Sequence, residues 1–142
     1  MGLPSPMHQD NYYWNLKNPR AITLWIALTR AFHKNGSVEY LIGSHKEGLI
    51  KHIPSNAPGS SQKIKNLNRY KKKYKKKIFC LDVGDCLIHH SLIIHGSKPN
   101  YSPYPREGFT IQLIDKNTSI NNHAYKKYKD SLNQQIIKRR VN

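Results

Sequence analysis

Acidic residues are scarce in this sequence: eight Asp and Glu stand against 24 Lys and Arg, a formal charge of +16. That imbalance draws the chain toward polyanions, acidic membrane surfaces and phosphorylated or carboxylated small substrates. Cysteine is scarcer still. Cys80 and Cys86 lie six positions apart, which excludes a C-x-x-C redox pair and half of a zinc knuckle, and reads as two reduced thiols in a cytoplasmic protein. Long apolar runs are missing, which excludes a helix that spans a bilayer. The opening Met1-Gly2-Leu3-Pro4-Ser5-Pro6 has no basic stretch followed by an apolar one, so no signal peptide is expected. Apolar residues make up 37% of the 142, enough for one domain with a modest core and much polar loop.

What is present is unevenly spread. The segment Lys63 to Lys77 (KIKNLNRYKKKYKKK) holds a large share of the positive charge, and Lys126-Lys127 through Lys138-Arg139-Arg140 holds another. Tyr70 and Tyr74 interleave the lysines, as in some single-strand nucleic-acid binders. A solvated basic loop is the plainer reading, and a nucleic-acid partner is disfavoured because it leaves the histidines discussed below unexplained.

Turn residues divide the chain into short β segments. Residues 1–7 read as a loop fixed by Pro4 and Pro6. Ala21 to Thr29 reads as a strand, and Val38 to Ile42 as another entered through the turn Asn35-Gly36. Gly43 to Gly59 reads as a loop punctuated by Gly48, Pro54, Pro58 and Gly59. Residues 60–77 read as a mobile basic insertion or a frayed helix. Ile78 to Val83, Cys86 to Ile94 and Gly108 to Ile114 read as strands, and the segment from about Asn121 as a short basic helix or a tail. Short strands with turns between them, and helix only at the end, predict a small β barrel or sandwich rather than a parallel α/β sheet.

Three elements carry chemistry. His8-Gln9-Asp10 puts an imidazole and a carboxylate two positions apart, which on an extended segment share a face; a surface histidine beside a surface acid reads equally well. His95 follows an apolar strand. It is either the second histidine of a two-histidine, one-carboxylate site or a strand-end residue. Such a ligand set leaves three open positions on one face of iron(II). Arg106, eleven residues on, can pair bidentately with a carboxylate, or can be an ordinary loop arginine.

Taken in order, these parts resemble the phytanoyl-CoA dioxygenase family. The segment Gly84-Asp85, then the apolar strand, His95-Gly96-Ser97, Pro99-Asn100-Tyr101-Ser102 and Arg106 is similar to that family's second half-site. HQDNYYW at residues 8–14 resembles its first metal motif, and Leu24-Trp25-Ile26-Ala27-Leu28 the strand after it. Asn35-Gly36 and Leu41-Ile42-Gly43-Ser44-His45 resemble its N-G and P-G-S-H segments, with Ile42 in place of proline. The resemblance spans roughly residues 7–115.

The resemblance implies a mainly β fold, a double-stranded β-helix of the jelly-roll or cupin type. Residues 1–116 would form the oxygenase core, with the basic insertion at 60–77, and 117–142 a basic tail or helix. It implies Fe(II) held by His8, Asp10 and His95, and 2-oxoglutarate held by Arg106, Ser97, Trp25 and Gln9. Because Asp10 is a carboxylate, and halogenating relatives carry a small residue there, the implied reaction is hydroxylation of a small molecule with release of succinate and CO2, and the basic charge favours an anionic one. The family's helices and first core strand before the H-x-D motif have no counterpart before His8. The core is therefore expected to be incomplete at its N-terminus, and a protein partner or oligomer is expected to complete the sheet. The remaining readings are a binding module that keeps the fold without turnover, and surface roles for His33, His52 and His123. His89 and His90 are expected to be mainly structural, and His45 to organise its loop.

Overall fold

The computed structural model describes residues 2–57 and 60–141; Pro58 and Gly59, expected as turn residues, lie outside them. It is mainly β, with antiparallel sheets and a C-terminal helix. One sheet joins β1 (Ser5–His8), β8 (His95–Ser97), β3 (Val38–Leu41) and β6 (Lys76–Ile78), in that order. A second joins β7 (Cys86–His90), β2 (Ala21–Ala27) and β9 (Gly108–Ile114). The third is a hairpin of β4 (His52–Ala57) and β5 (Ser60–Ile64). The helices are α1 (Asn11–Trp14), α2 (Leu67–Lys73) and α3 (Asn122–Val141).

Strand β2 sets the sandwich. Its alternation buries Ala21, Thr23, Trp25 and Ala27 on one face and leaves Ile22, Leu24 and Ile26 half-buried on the other. The inward face joins Val38, Tyr40, Ala31 and Leu81 in one apolar cluster, with Leu87 and Phe79 against it. A second cluster of Met7, Leu41, Ile50, Ile64 and Ile94 lies under the basic segment, whose Leu67, Tyr70 and Tyr74 pack onto it. Two glycines are required by close approach. A side chain at Gly96 would meet the Ser5 carbonyl oxygen at 2.6 Å, so β1 can run against β8 only there. A side chain at Gly108 would overlap the Trp25 ring.

The outward face of the β7–β2–β9 sheet is apolar and largely bare. Ile88 is 64%, Phe109 55% and Leu113 51% exposed, and Ile111 lies between them. The register sets these residues beside Ile22, Leu24 and Ile26.

Several expectations are corrected. Cys86 to Ile94 is not one strand. The chain leaves β7 at His90, turns through a bond from the Ile93 N–H to the His90 carbonyl, and re-enters as β8 in the other sheet. Ile78 to Val83 is strand only to Ile78, followed by a single bridge from Leu81 to Ala31. Residues 43–59 contain β4, and 60–77 is built from β5, α2 and β6 rather than an irregular insertion. Residues 5–7, expected as loop, belong to β1, which pairs with β8. The two cysteines are free and exposed. No helix is long and apolar enough to cross a membrane.

Candidate metal centre

Pairing of β1 with β8 puts His8 opposite His95. Asp10 arrives differently from the sequence expectation. It stands not on an extended segment but in helical backbone at the start of α1, and the turn swings its carboxylate back to the two rings. Its Oδ1 lies 3.6 Å from His8 Nε2 and 3.4 Å from His95 Nε2. The three side chains offer ligand atoms that all fall within 4.8 Å of one another.

The rings are oriented by the backbone. His8 Nδ1–H donates to the Pro6 carbonyl at 2.7 Å and His95 Nδ1–H to the Ile93 carbonyl at 3.1 Å. With each proton committed to Nδ1, each Nε2 keeps its lone pair for a metal. Burial, then the neighbouring His8, pushes the His95 pKa down to about 3, so the ring is neutral at physiological pH. Burial alone would raise Asp10. A hydrogen bond from His89, a 2.7 Å bond from the Thr23 hydroxyl and the adjacent His8 and His95 rings outweigh it and hold the carboxyl well below the usual carboxylate range. Two imidazoles with Nε2 facing inward and one carboxylate, with three ligand atoms converging, is a donor set suited to iron(II).

The residues expected to hold a cosubstrate gather beside it, Gln9 excepted. Trp25 lies two positions along β2 from Thr23, and Ser97 two along β8 from His95, so each shares a face with a residue of the metal cluster, about 7 Å further on. Arg106 bridges these two positions. Its guanidinium stands 6.0 Å over the Trp25 ring and its Nη2 lies 3.4 Å from Ser97 Oγ. Its Nε is buried with no hydrogen-bond partner among the described residues. A half-buried cation with a buried, unspent donor, beside Ser97 on the strand that carries His95, fits the far carboxylate of a five-carbon diacid.

Gln9 is corrected. It is fully buried (0% exposed), and its amide is consumed elsewhere: Oε1 accepts from the Ile50 N–H at 2.8 Å, while Nε2 donates to the Gly48 and Leu92 carbonyls at 2.8 and 2.6 Å. Nothing remains for a cosubstrate. His52, expected at the surface, is also corrected. It is buried, stacks on Tyr12 with ring centroids 4.2 Å apart, and accepts the Gln9 backbone N–H at its Nε2, 3.1 Å away. No local signal marks it; β4 delivers it from 43 residues away. His33 and His123 are exposed. His45 lies in a short turn, Ser44–Glu47, in which Ser44 Oγ accepts the Ile94 N–H at 2.8 Å, one residue before the candidate ligand His95.

Comparisons with known proteins agree with this geometry. The sequence profile of Phytanoyl-CoA dioxygenase (PhyH) matches residues 1–108. The chain is 32% identical over 111 residues to phytanoyl-CoA dioxygenase 1 of Oryza sativa, covering 76% of this chain and 38% of that protein. It is 29% identical over 114 residues to the peroxisomal phytanoyl-CoA dioxygenase of Bos taurus, covering 79% of this chain and 34% of that protein. Among solved structures it resembles the non-heme monooxygenase ThoJ in its apo form, with a TM-score of 0.65 and 28% identity over 84% of this chain and 43% of that one. It also resembles EvdO2 of Micromonospora carbonacea complexed with 2-oxoglutarate, with a TM-score of 0.67 and 21% identity over 84% of this chain and 48% of that one. The chain thus spans less than half the length of these relatives. Profile, relatives and fold converge with the clustered His8, Asp10 and His95, and the chain belongs to the phytanoyl-CoA dioxygenase family.

Proposed function

We propose that this chain is the cofactor-holding core of an Fe(II)- and 2-oxoglutarate-dependent oxygenase that hydroxylates a small-molecule substrate, with succinate and CO2 as co-products. One observation carries the reading. His8, Asp10 and His95 converge with both Nδ1 protons tied to backbone carbonyls, beside a half-buried arginine whose buried Nε has no partner among the described residues. Iron with 2-oxoglutarate, when bound, supplies the activation of dioxygen. The chain's own residues do the holding. His8 and His95 present Nε2 donors, and Asp10 adds the anionic one. Arg106 and Ser97 grip the distal carboxylate, and the Trp25 ring walls that side. Asp10 fills the position that a halide would need, which supports hydroxylation over halogenation. The surplus of Lys and Arg supports an anionic substrate.

A second reading, a module that acts only with a protein partner, is favoured by the bare apolar face carried by Ile88, Phe109, Ile111 and Leu113. Such a face asks for a covering segment.

The test is anaerobic addition of Fe(II) and 2-oxoglutarate, read by the weak visible charge-transfer band. The wild-type chain should show the band, His8→Ala should lose it, and Arg106→Lys should weaken 2-oxoglutarate binding about tenfold to a hundredfold, the worth of a charge-assisted bond. An unchanged band in His8→Ala would remove that histidine from the site. Succinate release separates the two readings: a band without turnover favours the module.

A further inference from the structure

A third imidazole touches the cluster without offering it a ligand atom. His89 lies on β7, opposite Thr23 of β2, and is buried. Its Nε2 is 3.2 Å from Asp10 Oδ2, and its Nδ1 is 3.2 Å from the hydroxyl of Tyr40, itself buried on β3. The chemistry of the partners fixes the direction of both bonds. An ionised carboxylate can only accept, so His89 Nε2–H donates to it. That leaves Nδ1 as the acceptor, and the Tyr40 O–H fills it. The Thr23 hydroxyl donates to the same Oδ2 at 2.7 Å.

The two oxygens of Asp10 are therefore unequal. Oδ2 receives two donors, from Thr23 and His89. Oδ1 receives neither and is the oxygen facing His8 and His95. A carboxylate held this way meets a metal through one oxygen. Bound through both, it would occupy a further coordination position and crowd the face that a chelating cosubstrate and dioxygen must share.

We propose that His89, backed by Tyr40, is a positioning residue that holds Asp10 as a one-oxygen ligand and so keeps the metal's open face free. The proposal rests on the metal-centre reading above. His89 itself is not a ligand: the nitrogen nearest the cluster carries the proton it gives to Asp10. The wider lesson concerns the run His89-His90, in which only the first residue meets the site. His90 turns outward, where its Nδ1 accepts the Leu92 N–H.

The test compares wild type, His8→Ala, His89→Phe, His89→Gln and Tyr40→Phe. Mn(II) affinity is measured by calorimetry in air, 2-oxoglutarate affinity on the Mn(II)-loaded chain, and folding by thermal melts. His89→Phe should weaken Mn(II) binding about tenfold to a hundredfold, as loss of a residue that orients a metal ligand does, and should weaken 2-oxoglutarate binding further. His89→Gln keeps an N–H for Asp10 and a carbonyl for Tyr40, so it should recover most of the loss. A purely structural histidine would change the melt and leave Mn(II) affinity alone. If His89→Phe does not fold, Tyr40→Phe decides the matter, since it removes only a hydroxyl: weaker Mn(II) binding supports the chain of bonds and unchanged binding overturns it. A glutamine variant as weak as the phenylalanine one overturns the proposal, because the ring itself would then be needed. Mn(II) binding lost in His8→Ala but intact in His89→Phe overturns the proposal alone. A wild type that binds no Mn(II), or a His8→Ala variant that binds it unchanged, overturns the metal-centre reading and the proposal with it.

Discussion

Replacing Gln9 with methionine tests whether this buried amide is a structural clasp. The two side chains are similar in length and volume, so the change opens little cavity. It does delete three hydrogen bonds at once, and each partner is a main-chain group: the Ile50 N–H, the Gly48 carbonyl and the Leu92 carbonyl. The first and last lie in the interior, where water cannot replace the amide. Each buried backbone group left without a partner costs about 1–3 kcal/mol, and Gly48 is partly exposed, so its share sits at the low end. The sum is a loss of about 3–7 kcal/mol. That is a large fraction of the 5–15 kcal/mol that holds a small domain folded. Urea unfolding of the metal-free chain measures it, with the midpoint falling while the slope stays constant. A loss below about 1 kcal/mol, or a chain of normal stability whose 2-oxoglutarate affinity drops, would refute the clasp and return Gln9 to the cosubstrate site.

Two further outcomes follow from the packing. Burial depresses the His52 pKa to about 4, below the ordinary 6.5, so the unfolded chain takes up a proton first as the pH falls. Stability tied to His52 is full above pH 6.5 and is lost between 6.5 and 4, by up to about 3 kcal/mol; chemical denaturation at pH 7 and pH 5 should show a smaller drop in His52→Gln than in wild type. Gly108→Ala drives a methyl group into the Trp25 ring, at a cost of about 1–3 kcal/mol. Because Arg106 lies over that ring, the variant should also bind 2-oxoglutarate more weakly, measured by calorimetry on the Mn(II)-loaded chain.

The strands that alternate were legible in the sequence. β9 was read with its bounds intact, and β2 and β3 within two residues at their ends, because β-rich segments bounded by turn residues are local information; which face they bury is not, and the apolar side chains of β9 point outward. The break between β7 and β8 was not legible. An unbroken apolar run looks the same whether it stays in one sheet or crosses to another. The crossing is fixed by long-range bonds such as the Ser91 N–H to the Ala21 carbonyl. Strands β4 and β5 were hidden for a related reason: Ser, Gln, Asn and Pro54 carry little β signal, and pairing with each other supplies it. At the site, His8, Asp10, His95, Ser97, Trp25 and Arg106 were named from motif order. What escaped was support from a distance. His52, Tyr40 and Thr23 reach the cluster, or the residues beside it, through partners 13 to 49 positions apart in sequence, and no spacing rule encodes that.

The uncovered side of the β7–β2–β9 sheet sets how this molecule behaves among its own copies. Mutual repulsion between bodies carrying sixteen surplus positive charges keeps those oily strips from meeting while the solution is dilute in ions. At physiological ionic strength that repulsion fades beyond about 8 Å, whereas the attraction between hydrocarbon surfaces does not weaken. Salt, which solubilises many basic proteins by freeing them from anions, would therefore bring this one together.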